Sequence, residues 1–427
     1  MRITVGTDLS PASAGALGVA LALSKLSAGA DPVVLVHVAD RDLDEHPHGP
    51  VEKARRELEE QAGLGEAVGI AVRTQLVFGE PDEALLGVAE TEHADLIIVA
   101  AASKSGKLGL GTTASRLIAK TPVPTLVVRD PEPWLAFAAG ERPMRLMLGI
   151  DDSATCALSI QWVKGLRALG PQDDHAGLEI VLGAIYYPDE AADYYGLPKG
   201  TFVDSNPEVE RMMARDLLRR FGDGEHGKGV RACPRKGLGR IGDHMVELAK
   251  AEHVDVIVVG TSQKTGLGRL GSVSSVIVDD APQSVVCVPP QAHVVTQSVP
   301  IIRTALVATD LSQFSNRAVP YAFGVVEPDG EVHIVHCVKD DDDHDAQDIV
   351  AQLKALVPVG AKQRVHVEIV YGDDAALGVA QCAARNGVDV ICLASHGRSG
   401  WTRALVGSVA DRLLRATRLP VLVLRPA

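Results

Sequence analysis

Aromatic residues are scarce, at 4% of a 427-residue chain. A core of useful size must therefore be aliphatic, and Ala, Val and Leu supply most of the 46% hydrophobic content. That balance suits parallel sheets, whose strands are covered on both faces and read as continuous aliphatic runs. Basic excess is also missing: 42 Lys and Arg stand against 55 Asp and Glu, a net charge of −13. Without a basic stripe, binding to a phosphate backbone is excluded, and no nucleic acid partner is expected. No apolar run reaches the ~18–20 residues that a membrane span needs. The opening MRITVGTDLS reads as a first strand and not as a signal peptide, so the expected compartment is the cytoplasm. The six cysteines (156, 233, 287, 337, 382, 392) include no CxxC pair, which indicates neither a zinc site nor a disulfide framework. They read as small core hydrophobes. No Ser-His-Asp order, HExxH, Walker A string or paired-carboxylate spacing stands out, so no catalytic residue is assigned.

What the chain does contain is a repeat. Three copies open on a short apolar strand that closes on aspartate: ITVGTDLS (Asp8), LMLGIDDS (Asp151) and ALVATDLS (Asp310). Each closes on a strand, a turn of small residues, a glycine with a hydroxyl residue, a helix and a last strand. In copy three this reads VICLASHGRSGWTRALVGSV, with Gly407-Ser408 followed by an amphipathic run and a strand at 420–424. Gly111-Thr112 and Gly271-Ser272 hold the same place in copies one and two, after loops two residues shorter. This is a domain repeat, longer than any solenoid period. It sets domains at 1–130, 144–290 and 301–427. The segments 131–143 and 289–300, rich in Pro and small or polar residues, read as linkers.

Copy three displays the alternation best. Strands are expected at 304–309, 331–338, 364–370, 388–393 and 420–424, with helices near 313–325, 345–356, 374–386 and 408–417. The fold class is α/β, three tandem doubly wound, Rossmann-like parallel-sheet domains. Ligands bind such sheets at the carboxyl ends of the strands, at the switch point, where Asp310, Cys337 and Ala394 converge. Gly397 lets backbone approach an anion with no Cβ in the way. Ser408 suits both a helix N-cap and a phosphate donor. Read blandly, Gly397 is only a turn and Gly407-Ser408 only a helix start.

The Asp-ended first strand, the HCV closing the second, and the spacing small residue, two residues, Gly397, nine residues, Gly407-Ser408 together resemble the universal stress protein family. The resemblance spans nearly the whole chain as three tandem copies. It implies an adenine nucleotide alpha hydrolase-like fold, binding of ATP with or without Mg, and a role in regulation, with at most slow ATP hydrolysis or self-phosphorylation. Carried onto copy three, it implies that Asp310 and the backbone at Cys337 hold adenine, that Ala394 and His396 line the ribose, and that Gly397, Gly407, Ser408 and Val409 contact phosphates. Ala394 stands where the family motif has glycine. Copies one and two have Ser103 and Gln263 at the position of Gly397, so they are expected to be scaffold. The resemblance also implies pairing of domains through the last strands. Two copies would pair within the chain and the third with its equivalent in a second chain, giving a homodimer.

Other features carry less. Two GxGxxG strings, from Gly237 and from Gly266, lack the acidic residue a dinucleotide site needs on the next strand, and they fall in loops of the repeat. Copy two has extra length at 186–215 with Tyr186, Tyr187, Tyr194 and Tyr195, read either as a lid or partner surface or as a segment packed on a neighbouring domain. The acidic run 339–345 and the His46/His48 pair read as solvated surface, so no metal is assigned. Two alternatives to the nucleotide-responsive stress regulator stay open: an interaction scaffold that binds no nucleotide, and a slow ATP hydrolase.

Overall fold

The computed structural model describes residues 1–29, 31–39, 49–101, 112–151, 153–171, 177–197, 206–222, 229–261, 273–292, 301–339, 346–394 and 408–425. They fall into two compact units, Met1–Tyr186 with Leu217–Gln297, and Tyr187–Asp216 with Ser298–Ala427.

Copy one contributes strands β1 (Ile3–Thr7), β2 (Val33–Ala39), β3 (Val72–Phe78), β4 (Leu96–Ala100) and β5 (Thr125–Val128). Copy two contributes β6 (Met144–Gly149), β7 (Leu178–Tyr186), β8 (Val230–Lys236), β9 (Val256–Gly260) and β10 (Ser284–Val288). Copy three contributes β11 (Thr304–Ala308), β12 (Glu331–Val338), β13 (Arg364–Tyr371), β14 (Val390–Ala394) and β15 (Val421–Leu424). Within each copy the strands are parallel and lie in the order third, second, first, fourth, fifth. The central strands LIIVA, VIVVG and VICLA are buried along most of their length, as helix-covered parallel strands require.

One aspartate per copy locks the start of this sheet. Asp95, Asp255 and Asp389 each stand just before the fourth strand. Their carboxylates accept the backbone N–H of Arg2 (2.7 Å), Arg145 (2.8 Å) and Arg303 (2.8 Å) at the entry to the first strand. The charge satisfies a donor that would otherwise be lost at the strand end.

In the first unit β5 and β10 pair antiparallel, with Val127 opposite Val285 and Leu126 opposite Val286. The pairing fuses two five-stranded sheets into one of ten strands. Both last strands are buried throughout. In the second unit β15 is the edge of a five-stranded sheet and is only partly covered, with Leu422 36% exposed.

The segment 131–143 is not a linker. It forms a helix, Glu132–Ala139, that buries Trp134 and Phe137 completely and packs on the helix Pro11–Leu26. Gly170 is required beside it, because a Cβ there would lie 2.3 Å from Phe137 Cζ. Arg142 then ties the helix to copy two, bonding Glu132 at 2.9 Å and Asp255 at 3.2 Å.

The described parts of the copy-two insertion are helical and belong to the second unit. Its helix Pro188–Tyr195 packs against the helix Ala375–Asn386 of copy three. Arg215, on the helix Pro207–Phe221, donates to the carbonyls of Ala384 (2.9 Å) and Arg385 (2.7 Å) at the end of that helix. Gln381 donates to Asp193 O at 2.9 Å, and the Arg418 guanidinium sits 5.4 Å from the Tyr194 ring centroid. Tyr195 is buried, donates to Asp216 at 2.7 Å, and has its phenol pushed far up by burial and by that carboxylate. The insertion packs on copy three, the blander of its two readings.

Copy three follows the expected elements closely, with one displacement. Its first helix begins at Ala318 after a short 3-10 turn, Ser315–Arg317, and not near 313. Pro320 is the cause. A helix started at 313 would place it in the interior, where it lacks an N–H and its ring meets the carbonyl four residues back. Starting at Ala318 puts it in the first turn, where no N–H is needed.

Candidate functional site

The strand order of copy three reverses between β11 and β14, and their carboxyl ends mark the switch point at which such sheets bind ligands. β11 pairs with β12 on one side and β14 on the other, with Ala308 opposite both Val335 and Leu393. Asp310 lies two residues past the end of β11, and Cys337 two residues beyond Val335 near the end of β12. One residue beyond Leu393 is Ala394, the end of β14, opposite Leu424. The parallel register therefore brings Asp310, Cys337 and Ala394 to one edge, as the alternation predicts. Ser408 and Val409 open the helix Ser408–Ala416, and both are exposed. Ser408 is the first residue of that helix. The first N–H groups of a helix have no partner within it and favour an anion. His396, Gly397 and Gly407 lie outside the described residues, as do Ser103 and Gln263.

The turn that carries Asp310 is built around a strained residue. Leu311 has φ +62°, a left-handed conformation that costs a side-chain-bearing residue about 1–2 kcal/mol. Local hydrogen bonds hold it there. The Thr309 hydroxyl accepts the Leu311 N–H at 2.9 Å and donates to Asn316 Oδ1 at 2.6 Å. Asn316 in turn donates to Leu311 O at 3.2 Å. Asp310 Oδ1 accepts the Ser312 N–H at 2.9 Å and the Ser315 hydroxyl. From the neighbouring strand, His336 Nδ1 lies 2.8 Å from Thr309 O. Partial burial works against the Asp310 charge, but the bonds from Ser312 and Ser315 outweigh it and hold the carboxyl below its ordinary range. Asp310 is thus an ionised acceptor held at the switch point.

Copy one repeats the device. Leu9 has φ +64°, and Thr7 Oγ1 accepts its N–H at 2.9 Å and donates to Gln61 Oε1 at 2.6 Å. His37 Nδ1 lies 2.9 Å from Thr7 O, and Asp8 Oδ1 accepts the Ser10 N–H at 3.1 Å. Copy two keeps the aspartate, with Asp151 Oδ1 accepting the Ser153 N–H at 3.0 Å. It has Ile150 where the others have threonine, so the hydroxyl that fixes the turn is missing.

The Cys337 Sγ is 3.7 Å from Ala375 O at the start of the helix Ala375–Asn386, and burial pushes the thiol up to about 11. Asp374 caps that same helix, accepting from Ala376 N at 3.0 Å and Leu377 N at 3.2 Å. Arg412 donates to the other Asp374 oxygen at 3.2 Å, which ties the last helix to it. The support around Asp310 was missed by residue-by-residue reading, although the string TDLS in copies one and three carried the signal.

Among the described residues, no helix is long and apolar enough to cross a membrane. The sequence profile of the universal stress protein family matches residues 1–129, 144–289 and 302–425. A universal stress protein of Mycobacterium tuberculosis strain H37Rv is 30% identical over 198 residues, which cover 42% of this chain and 64% of that protein. One from Synechocystis sp. PCC 6803 is 26% identical over 179 residues, covering 40% and 58%. The chain thus spans less than two thirds of the length of these relatives. The crystal structure of a universal stress protein from Archaeoglobus fulgidus covers 68% of this chain and 98% of its own, with a TM-score of 0.50 at 18% identity, a likeness of fold. With the profile matched three times across most of its length, the chain belongs to the universal stress protein family as a tandem of three of its domains.

Proposed function

We propose that copy three binds an adenine nucleotide, as ATP with Mg, and that copies one and two act as scaffold for a nucleotide-responsive stress regulator. The observation that carries this reading is the fixed Asp310 carboxylate at the switch point. It is an ionised acceptor beside the backbone of Cys337, suited to a base amino group. Ala394 leads from the same switch point toward the last helix, whose first N–H groups and Ser408 hydroxyl suit a phosphate. Copy two lacks the threonine that fixes this turn, and copy one keeps it but has Ser103 in place of Gly397. The role is one of binding and not of turnover, and six free thiols fit a reducing compartment, the cytoplasm.

Titration calorimetry of the full chain with Mg-ATP is expected to give one site per chain, abolished by Gly397→Ala. Three sites would refute the scaffold role of copies one and two. No binding would leave the chain an interaction scaffold. Steady ATP turnover by purified protein would make it a hydrolase.

The proposal includes a homodimer through β15. The buried β5–β10 pair is the pattern for it, and β15 offers the same apolar strand with an open edge. Ile391 donates to Pro420 O, so in a parallel ladder the N–H groups of Val421 and Val423 point to that edge. Val423→Pro removes an edge donor without touching β14. Sedimentation is expected to show a dimer for the parent chain and a monomer for this variant; a monomeric parent at micromolar concentration would end the idea.

A further inference from the structure

We infer that Glu331, His333 and His366 form a binding site for a divalent transition-metal ion of the zinc class. The cluster sits at the amino ends of β12 and β13, whereas the proposed nucleotide site lies at the carboxyl ends of the sheet. The two sites are independent.

The register creates the cluster. His333 is paired with His366 across parallel strands, and Glu331 stands two residues before His333 on the same face. The two imidazoles are stacked, 4.6 Å between centroids and 19° between planes. His366 Nε2 lies 3.2 Å from a Glu331 oxygen. Two ligands on one tetrahedral zinc, with bonds of about 2.0–2.1 Å, lie about 3.3 Å apart. One ligand atom from each of the three residues falls within 4.8 Å of the others. His333 is fixed in the sheet at 7% exposure, while the His366 side chain is 48% exposed and free to turn toward a shared ion.

The donor chemistry suits a metal: two imidazole nitrogens and one carboxylate oxygen make a borderline set, fit for Zn²⁺ and its neighbours and not for the all-oxygen shells of Ca²⁺ or Mg²⁺. Three protein ligands leave a position for water. Arg364 pairs with the other Glu331 oxygen, Oε1, so it leaves Oε2 beside His366 open to an ion and opposes that ion by its charge. Glu368, held by Arg385 at 3.0 Å, adds negative charge on the same face. Sequence spacing gives no hint of the site, because its ligands meet only through the pairing of β12 with β13.

The test is equilibrium dialysis of the full chain against ZnCl₂ near neutral pH, with Co²⁺ absorption in the visible as a second readout. One ion per chain is expected. His366→Ala and Glu331→Gln should each weaken binding at least as much as loss of an outer-shell partner, about 10–100-fold. Arg364→Gln should tighten it. A His46→Ala/His48→Ala double variant should bind as the parent does. His366 is exposed, so its variant should keep the parent melting curve, which separates ligand loss from unfolding. Undiminished zinc binding by His366→Ala, loss of binding in the His46/His48 variant, or no binding by the parent chain would each overturn the inference.

Discussion

Replacing Arg215 with alanine should release the copy-two insertion from copy three. Arg215 donates two charge-assisted hydrogen bonds, at 2.9 and 2.7 Å, to the carbonyls of Ala384 and Arg385. These carbonyls end the helix Ala375–Asn386, where the negative pole of the helix dipole favours a cation. Bonds to a charged group contribute roughly 1.5–3 kcal/mol each. Two effects reduce the sum. Arg215 Nε is buried without an acceptor among the described residues, a cost of about 1–3 kcal/mol that the substitution removes. Ala384 O also keeps its bond from the Gly387 N–H at 3.2 Å. A net loss of about 2 kcal/mol remains, which corresponds to roughly 30-fold in the opening equilibrium. Hydrogen exchange read by mass spectrometry would detect it as a loss of protection of that order in peptides covering 188–197 and 381–388. Peptides of copy one should not change. Arg215→Lys should fall between, because an ammonium cannot present the guanidinium fork to two carbonyls. Gly387→Ala should act in the same direction: φ is +63° there, and a Cβ would lie 2.5 Å from Arg215 Nε. Unchanged protection over 188–197 in Arg215→Ala would refute the reasoning.

Phe137→Ala removes a fully buried ring from the joint between copies one and two and should cost about 3–5 kcal/mol, seen as a lower urea midpoint for the first unit. Asp310 gives a pH signature. Its folded pKa lies below the ordinary 3.8, so its stabilising share is complete above that value and is lost as pH falls through the folded pKa. Asp310→Asn should therefore lower the melting temperature of the second unit at neutral pH, with the gap from the parent closing in acid. A gap independent of pH would show that the charge does not matter.

The aliphatic runs, the Asp-ended first strands and the glycine punctuation made the threefold repeat and the succession of strands and helices along copy three legible, because they are local signals of period and turn. What escaped was set by contacts distant in sequence. The segment 131–143 has linker composition, yet Trp134 and Phe137, three apart, form one face of a buried helix. That spacing was the available signal. Pro320 was the available signal for the late start of the helix at Ala318. Asp310 was legible from its place at a strand end. The Thr309, Asn316 and His336 contacts that hold it were not, because they join three elements. His333 and His366 could not be associated without the register of β12 on β13.

The last strands TLVV, SVVCV and VLVL carry no charge, whereas the opposite edges carry Arg73, Arg231, Arg235, Arg364 and Glu368. Charged edge strands resist pairing with another chain, and bare ones invite it. Each copy thus has a valence of one, and three is an odd number. Copies one and two saturate each other across β5 and β10, and on the proposed pairing through β15 the chain is univalent. A univalent unit stops at two and cannot grow into a filament. Deleting copy one would strand β10 and β15 as two open ends on one chain, free either to close on each other or to polymerise. Adding a fourth copy would leave no end at all.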